Sequence, residues 1–320
     1  KFHKRYAHRN MRDVAAMEGL PIPKQLPQYL ICLQGKSKRQ PLTGSFGLRD
    51  IIRPAYAWAW DHAGPFKFKT WSGKDHFTLK VDLHTGKLAP CMVTSTANCE
   101  DEWRELVLRL EAHFGHTGVV ARLITDSAPY FEKNNKLKAF NRQKGIVHCP
   151  SPAYTQELDG VAERTLGTIF NMARTALLES ALPDASYGEC LIAQCHVLER
   201  MPHRSGGKLT RLEKWEGRLL PKQREKLRPW GCAAYLHKYY GQRGTIGPAE
   251  KLGPRAELCV LVGYDPNNMG YRVAQLPSFT VRTALHLSFA EDYFPCVTKI
   301  TRSLGHFMTA DQQRHYQPAE

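Results

Sequence analysis

The apolar residues between positions 54 and 201 change their spacing repeatedly, from every second residue to every third or fourth and back, and this constrains the fold more than any single motif. Tyr56, Trp58 and Trp60 alternate with alanines and run into Asp61, a strand that Gly64 and Pro65 stop. Residues 76–93, "HFTLKVDLHTGKLAPCMV", alternate Phe77, Leu79, Val81 and Leu83 with polar partners, break at "HTGK" and resume apolar, as a hairpin does. "NCEDEWRELVLRLEAHFG" then offers Asn98 as an N-cap, three acids in a first turn, and Trp103, Leu106, Val107 and Leu110 at helical spacing. "GVVARLITD" is a short buried strand ending in Asp126, followed by a helix near Asn134 to Gln143 and a brief strand, "GIVHC". "SPAYTQELDGVAERTLGTIFNMART" turns from loop to helix, with Ala162, Leu166, Ile169, Phe170, Ala173, Ala176 and Leu177 on one stripe, and a further helix covers 185–201. That order predicts an α/β domain, a mixed sheet flanked by helices.

The flanks differ in character. Residues 1–50 are basic and turn-rich and read as a small module or arm. A basic linker follows the α/β domain at 203–228, and 229–296 turn β-rich and glycine-punctuated ("CAAYLH", "AELCVLVGY", "GYRVAQL"), predicting a small barrel-like β domain before a tail at 297–320. With 45 Lys+Arg against 30 Asp+Glu, the formal charge of +15 favours a polyanionic partner, nucleic acid first, over an acidic protein or a neutral metabolite. Nine cysteines without paired spacing read as reduced, buried thiols of an intracellular protein. No apolar run reaches the roughly 20 residues a membrane span needs, so a soluble chain with no membrane partner is expected. Since the chain opens at Lys1 in mid-pattern, it is expected to be part of something longer.

Asp61 and Asp126 both fall where predicted strands of one sheet end, the edge at which ligands of such sheets collect. Singly, an aspartate there is a turn former or cap. A third acid on the border of a packed helix would complete an all-oxygen set suited to Mg²⁺ or Mn²⁺. At about 100° per residue, Glu163 lies roughly 75° from the centre of its helix's apolar stripe, able to look along the sheet edge. Glu157 and Asp159 precede the predicted helix and read as caps or loop residues. Asp82, on the polar side of the hairpin strand, reads as structural or solvent-facing.

These segments resemble the integrase region of copia-type long-terminal-repeat retrotransposon Pol polyproteins, related to retroviral integrases, over nearly the whole chain. "WDHAGPF" looks like the segment carrying the family's first catalytic Asp, "LITDSAPYF" like the second, and the 151–175 stretch like the loop and helix carrying the catalytic Glu; 36 residues separate Asp126 from Glu163, close to the family spacing. The resemblance implies a ribonuclease H-like core over 51–202, an N-terminal HHCC-like module over 1–50, and an SH3-like β domain over 229–296. "FHKRYAH" resembles the paired histidines of that module, His3 and His8, and "YLICLQGK" its CxxC half; Tyr29 stands where the first cysteine belongs, leaving His3, His8 and Cys32, one ligand short of a tetrahedral zinc site. Ser127-Ala128 and Asp159 also depart from the family's Asn-Gly and Asn.

What the resemblance implies is an integrase in which Asp61, Asp126 and Glu163 hold two Mg²⁺ or Mn²⁺ ions for 3′-end processing and strand transfer of element DNA into target DNA. It further implies a homo-oligomer, fusion to protease and reverse transcriptase in a polyprotein, and action in the nucleus by way of cytoplasmic virus-like particles. Lys36, Lys38, Arg39, Arg164 and Arg174 are the basic residues expected to track DNA. Two alternatives stay open at this level: a catalytically silent nucleic-acid-binding remnant, and a standalone ribonuclease H-like nuclease.

Overall fold

A computed structural model describes residues 21, 51, 53–95, 99–150, 156–201, 209–238, 253–265 and 270–297. His3, His8, Cys32, Lys36, Lys38, Arg39, Asn98 and the tail lie outside the described residues.

The first sheet is built from β1 (Ala57–Ala63), β2 (His76–Asp82), β3 (Leu88–Val93), β4 (Arg122–Thr125) and β5 (Val147–Pro150), in the order β3-β2-β1-β4-β5. β1, β2 and β3 pair antiparallel, while β4 pairs parallel to β1 and β5 parallel to β4, which makes β1 the central strand. Five of the helices are α1 (Cys99–Phe114), α2 (Pro129–Glu132), α3 (Asn135–Lys144), α4 (Gln156–Ser180) and α5 (Tyr187–Glu199). This mixed sheet between two helical layers is the ribonuclease H-like arrangement.

Alternation along β1 decides which layer each residue meets. Trp58 and Trp60 enter the cluster formed with Trp103, Leu106, Val107 and Leu110 of α1 and Leu137 and Phe140 of α3. Ala59 faces the other way, into the cluster with Ala162, Leu166, Ile169 and Ala173 of α4 and Leu191, Ala193 and Cys195 of α5. The small alanines of β1 let α4 lie close; the tryptophans fill the wider gap opposite.

The α1 layer also buries what alternation alone would turn outward. Lys80 of β2 is 2% exposed, its Nζ 2.5 Å from Glu102 Oε2 of α1, 2.9 Å from Thr78 Oγ1 and 4.5 Å from the Trp60 ring centroid. Asp82 is fully buried, accepting from the backbone amides of Ala55 and Thr85 and from the Thr85 hydroxyl, so of the two roles expected for it the structural one holds.

Within 203–228, the stretch read as a linker, α6 (Arg211–Glu216) starts at a capping box between Thr210 and Glu213 and lays Trp215 against Trp58 and His113. Beyond it, β6 (Ala233–His237), β7 (Ala256–Tyr264), β8 (Tyr271–Gln275), β9 (Thr280–Ala284) and β10 (Leu287–Ala290) form an antiparallel sheet in the order β10-β6-β7-β8-β9. One face is closed by Ala234, Cys259, Val273 and Ala284 with Leu236, Leu287 and Phe289. The other sends Val260, Val262, Tyr264 and Ala274 into the cluster beneath α4 and α5.

Polar contacts reinforce that junction. Arg272 Nε and Nη2 donate to the two carboxylate oxygens of Glu189, at 2.9 and 2.6 Å, and the His196 ring stacks on Tyr264 with centroids 4.1 Å apart. Gly231 enters the β domain at φ 86°, where a Cβ would lie 2.2 Å from Ser180 Cβ; only glycine fits. The cysteines whose side chains are described, Cys91, Cys149, Cys190, Cys195, Cys232, Cys259 and Cys296, are free thiols, the last five buried. No described helix is long and apolar enough to cross a membrane.

Candidate active site

The register of β1 and β4 places two acids side by side. Trp60 opposite Thr125 is the last pair between β1 and β4, strands about 4.8 Å apart, so Asp61 and Asp126 are the residues that follow it; β4 ends there, whereas β1, expected to end at Asp61, runs on to Ala63 against β2. Alternation puts Asp61 on the face covered by α4, since Ala59 and Asp61 share one parity of β1, and the Asp126 charge, one residue past β4, reaches it there. Asp61 Oδ1 accepts from the His62 amide at 2.7 Å, and Asp126 Oδ1 from the Ala128 amide at 3.2 Å. The Thr125 hydroxyl donates to the Asp126 carbonyl and lies 2.9 Å from His148 Nε2, tying the end of β4 to β5.

Charge completes the picture. Burial raises the Asp61 carboxyl above its ordinary value; the His62 amide opposes that, and the charges of Asp126 and Glu163 raise it further. Asp126 is raised as well, first by burial, against the Ala128 amide, and then by Glu132. Glu163 is exposed on α4, one residue from buried Ala162. The helix therefore brings Glu163 into electrostatic range of Asp61, but among the described residues no group of three or more His, Cys, Asp or Glu stands close enough to hold a metal ion. Asp61 and Asp126 nevertheless fit such an ion by type: both are carboxylate oxygens, both are pushed toward protonation by burial and neighbouring anions, and a hard cation that keeps most of its waters needs only one or two protein carboxylates.

The remaining expected residues fall as follows. Arg164 and Arg174 are exposed on α4 with Glu163. Arg164 folds back over Gly160, where a Cβ would lie 2.5 Å from Nη1, and Arg174 Nη1 donates to Asn171 Oδ1 at 2.9 Å. Glu157 and Asp159, expected before the helix, belong to the first turn of α4. Sequence reasoning passed over His62. Its ring turns to the α1 side, 5.4 Å from those of His76 and Tyr130, and burial lowers its pKa to about 4, leaving it neutral at neutral pH. Its place beside Asp61 on a predicted strand was the available signal.

Comparison with known proteins gives this edge its context. The family model described as "Retroviral polymerase SH3-like domain" matches residues 232–302. The retrovirus-related Pol polyprotein from transposon RE2 of Arabidopsis thaliana is 27% identical over 51% of the chain, and that from transposon TNT 1-94 of Nicotiana tabacum 24% identical over 76%. Its homologues are retrovirus-related Pol polyproteins of plant transposons. The chain spans only 11% and 17% of the length of those two relatives. Among solved structures it is similar to the HTLV-2 integrase catalytic core domain in complex with magnesium, with a TM-score of 0.38 and 20% identity over 51% of this chain and 97% of that one. It is also similar to a chain of a simian T-cell lymphotropic virus intasome, with a TM-score of 0.41 and 14% identity over 74% of this chain and 79% of that one.

Proposed function

We propose that the chain is the integrase region of a retrotransposon polyprotein, trimming the 3′ ends of element DNA and joining them to target DNA. The observation that carries this reading is that Asp61 of β1 and Asp126, just past the end of the adjacent parallel β4, follow the last pair of those strands, with the charges of Asp126 and of Glu163 on α4 acting on Asp61. Asp61, Asp126 and Glu163 would hold two divalent ions, and bound Mg²⁺ or Mn²⁺ supplies charge to the attacking and leaving oxygens of an in-line displacement. The protein's own part is positional. The Ala128 amide fixes one oxygen of Asp126 and the His62 amide one of Asp61, so each carboxylate keeps its other oxygen for a ligand. Burial of both acids sharpens their demand for a cation.

Arg164 and Arg174 would meet the DNA backbone along α4, with Lys36, Lys38 and Arg39 adding to the grip. Assembly as a homo-oligomer, fusion to protease and reverse transcriptase, and nuclear action after passage through cytoplasmic particles follow from the same reading. A strand-transfer assay on element-terminal oligonucleotides with Mg²⁺ or Mn²⁺ tests it. Asp61→Asn, Asp126→Asn and Glu163→Gln should each abolish processing and joining while sparing DNA binding, and retained strand transfer by Asp126→Asn would sink the assignment. A second reading, a silent DNA-binding remnant, draws on the open arrangement of the three acids among the described residues; it predicts wild-type binding with steep salt dependence and no metal-dependent product.

A further inference from the structure

The connection between β1 and β2 leaves the sheet at the carboxylate edge, and it is held on both sides of a three-residue tip. On one side, Gly64 turns the chain at φ 128°, where a Cβ would lie 2.8 Å from the Asp75 carbonyl oxygen. Phe66 then donates its amide to Asp75 O at 2.8 Å and packs its ring on Tyr187 and Phe170. On the other side, Thr70 is buried and donates its amide to Lys74 O, and Trp71 donates its amide to Ala185 O while stacking on Phe279 of the β domain. Tyr187 Oη donates to Lys74 O, closing the loop onto α5.

Between these anchors stand Lys67, Phe68 and Lys69, all exposed. Phe68 is 46% exposed, with the Lys67 ammonium 5.2 Å from its ring centroid. A large apolar ring held in water by a firmly anchored loop, with a cation on each side along the chain, matches what single-stranded nucleic acid offers: phosphates for the ammonium groups and the π-face of an unpaired base for the ring. Phe68 is seven residues from Asp61, so chain length alone keeps it within about 25 Å of the paired carboxylates.

The geometry points to Lys67-Phe68-Lys69 as a binding site for unpaired DNA, in which Phe68 stacks on a base exposed at the strand end entering the active-site edge and Lys67 and Lys69 contact its flanking phosphates. The inference rests on the integrase reading for the identity of that strand, but its test needs no catalysis. The full chain in EDTA is titrated by fluorescence anisotropy with a labelled single-stranded oligonucleotide and, separately, with a blunt duplex of the same sequence.

Phe68→Ala should weaken single-strand binding roughly tenfold, the size of one base–aromatic stack, and leave duplex binding within about twofold. Phe68→Trp should restore affinity, with indole fluorescence quenched on binding. Lys67→Ala with Lys69→Ala should weaken both ligands and reduce the salt slope on the duplex by about two. Unchanged single-strand affinity in Phe68→Ala overturns the site and leaves the integrase reading standing, as does equal loss on both ligands with no rescue by Phe68→Trp. A wild-type chain that binds neither ligand at low salt removes both readings. Because Phe68 is exposed, circular dichroism of each variant should superimpose on wild type.

Discussion

Asp126→Asn should make the metal-free protein more stable while ending its chemistry. Asp61 feels the Asp126 charge behind the effect of burial, and two carboxylates on neighbouring strands repel by about 2–3 kcal/mol at separations of about 5–7 Å and an effective dielectric constant near 20. Both are part-exposed, so screening leaves about 1–1.5 kcal/mol. Asparagine keeps the oxygen that accepts from the Ala128 amide and removes the charge. At about 2–4 °C per kcal/mol for a unit of this size, Tm in EDTA at neutral pH should rise by roughly 2–6 °C.

The pH dependence has a definite sign. Asp61 and Asp126 are both raised above their ordinary 3.8 on folding, so the stability they contribute is full below that value and is lost as pH rises through the folded-state values. The wild type should therefore fall below Asp126→Asn only above about pH 3.8, the gap widening toward neutrality. Millimolar Mg²⁺ should then raise the wild-type Tm and leave that of the variant nearly still. Calorimetry in EDTA, from pH 4 to 8 and then with Mg²⁺, measures all of this. An Asp126→Asn protein that melts at or below the wild type at neutral pH in EDTA refutes the argument that these acids are crowded.

Other substitutions test the scaffold. Glu102→Gln should cost about 3–5 kcal/mol in urea unfolding by stranding the buried Lys80 ammonium, and Lys80→Met combined with Glu102→Leu should recover most of it. Gly231→Ala should destabilise by about 2–4 kcal/mol, since it combines a positive φ with a clash on Ser180, and Ser180→Gly should relieve part of that in the same background. Glu189→Ala should cost about 1–3 kcal/mol and expose the junction of β7 and β8 with α5 to limited proteolysis. His196 is held down to about 3, so the stability its neutral ring contributes is full above about pH 6.5 and lost as pH falls toward 3; His196→Phe should flatten that decline in acid-unfolding curves.

How much of this was legible in the sequence follows the range of the interactions involved. Period alone locates β1, β4 and α4, because Trp58, Trp60, Leu166 and Ile169 repeat at the spacing their element requires, and helical geometry puts Glu163 at the border of the stripe. That Asp61 and Asp126 both follow the Trp60–Thr125 pair depends on β1 pairing parallel to β4 across an intervening hairpin and helix, and local periodicity carries no information on that pairing. Lys80 shows the same limit from the other side. Alternation turns it outward, and it is buried because a carboxylate in the first turn of α1 waits above it. The basic stretch around Arg211 hid a helix because its charges outnumber its one anchoring ring, Trp215.

The placement of Asp61 is then a consequence of what lies behind it. On β1 the residue before Asp61 is Trp60, wedged between Trp103, Phe131 and the Lys80–Glu102 pair, and the residue after it is His62, enclosed by His76 and Tyr130. Both neighbours point away from the carboxylate and are locked by packing, so this part of β1 has little freedom to rotate and relieve the repulsion from Asp126. A single strand thus sets two opposed demands on its two faces, dense packing toward α1 and crowded charge toward α4. The first is what keeps the second in place: loosening Trp60 or His62 should relax the acids apart before it unfolds the domain.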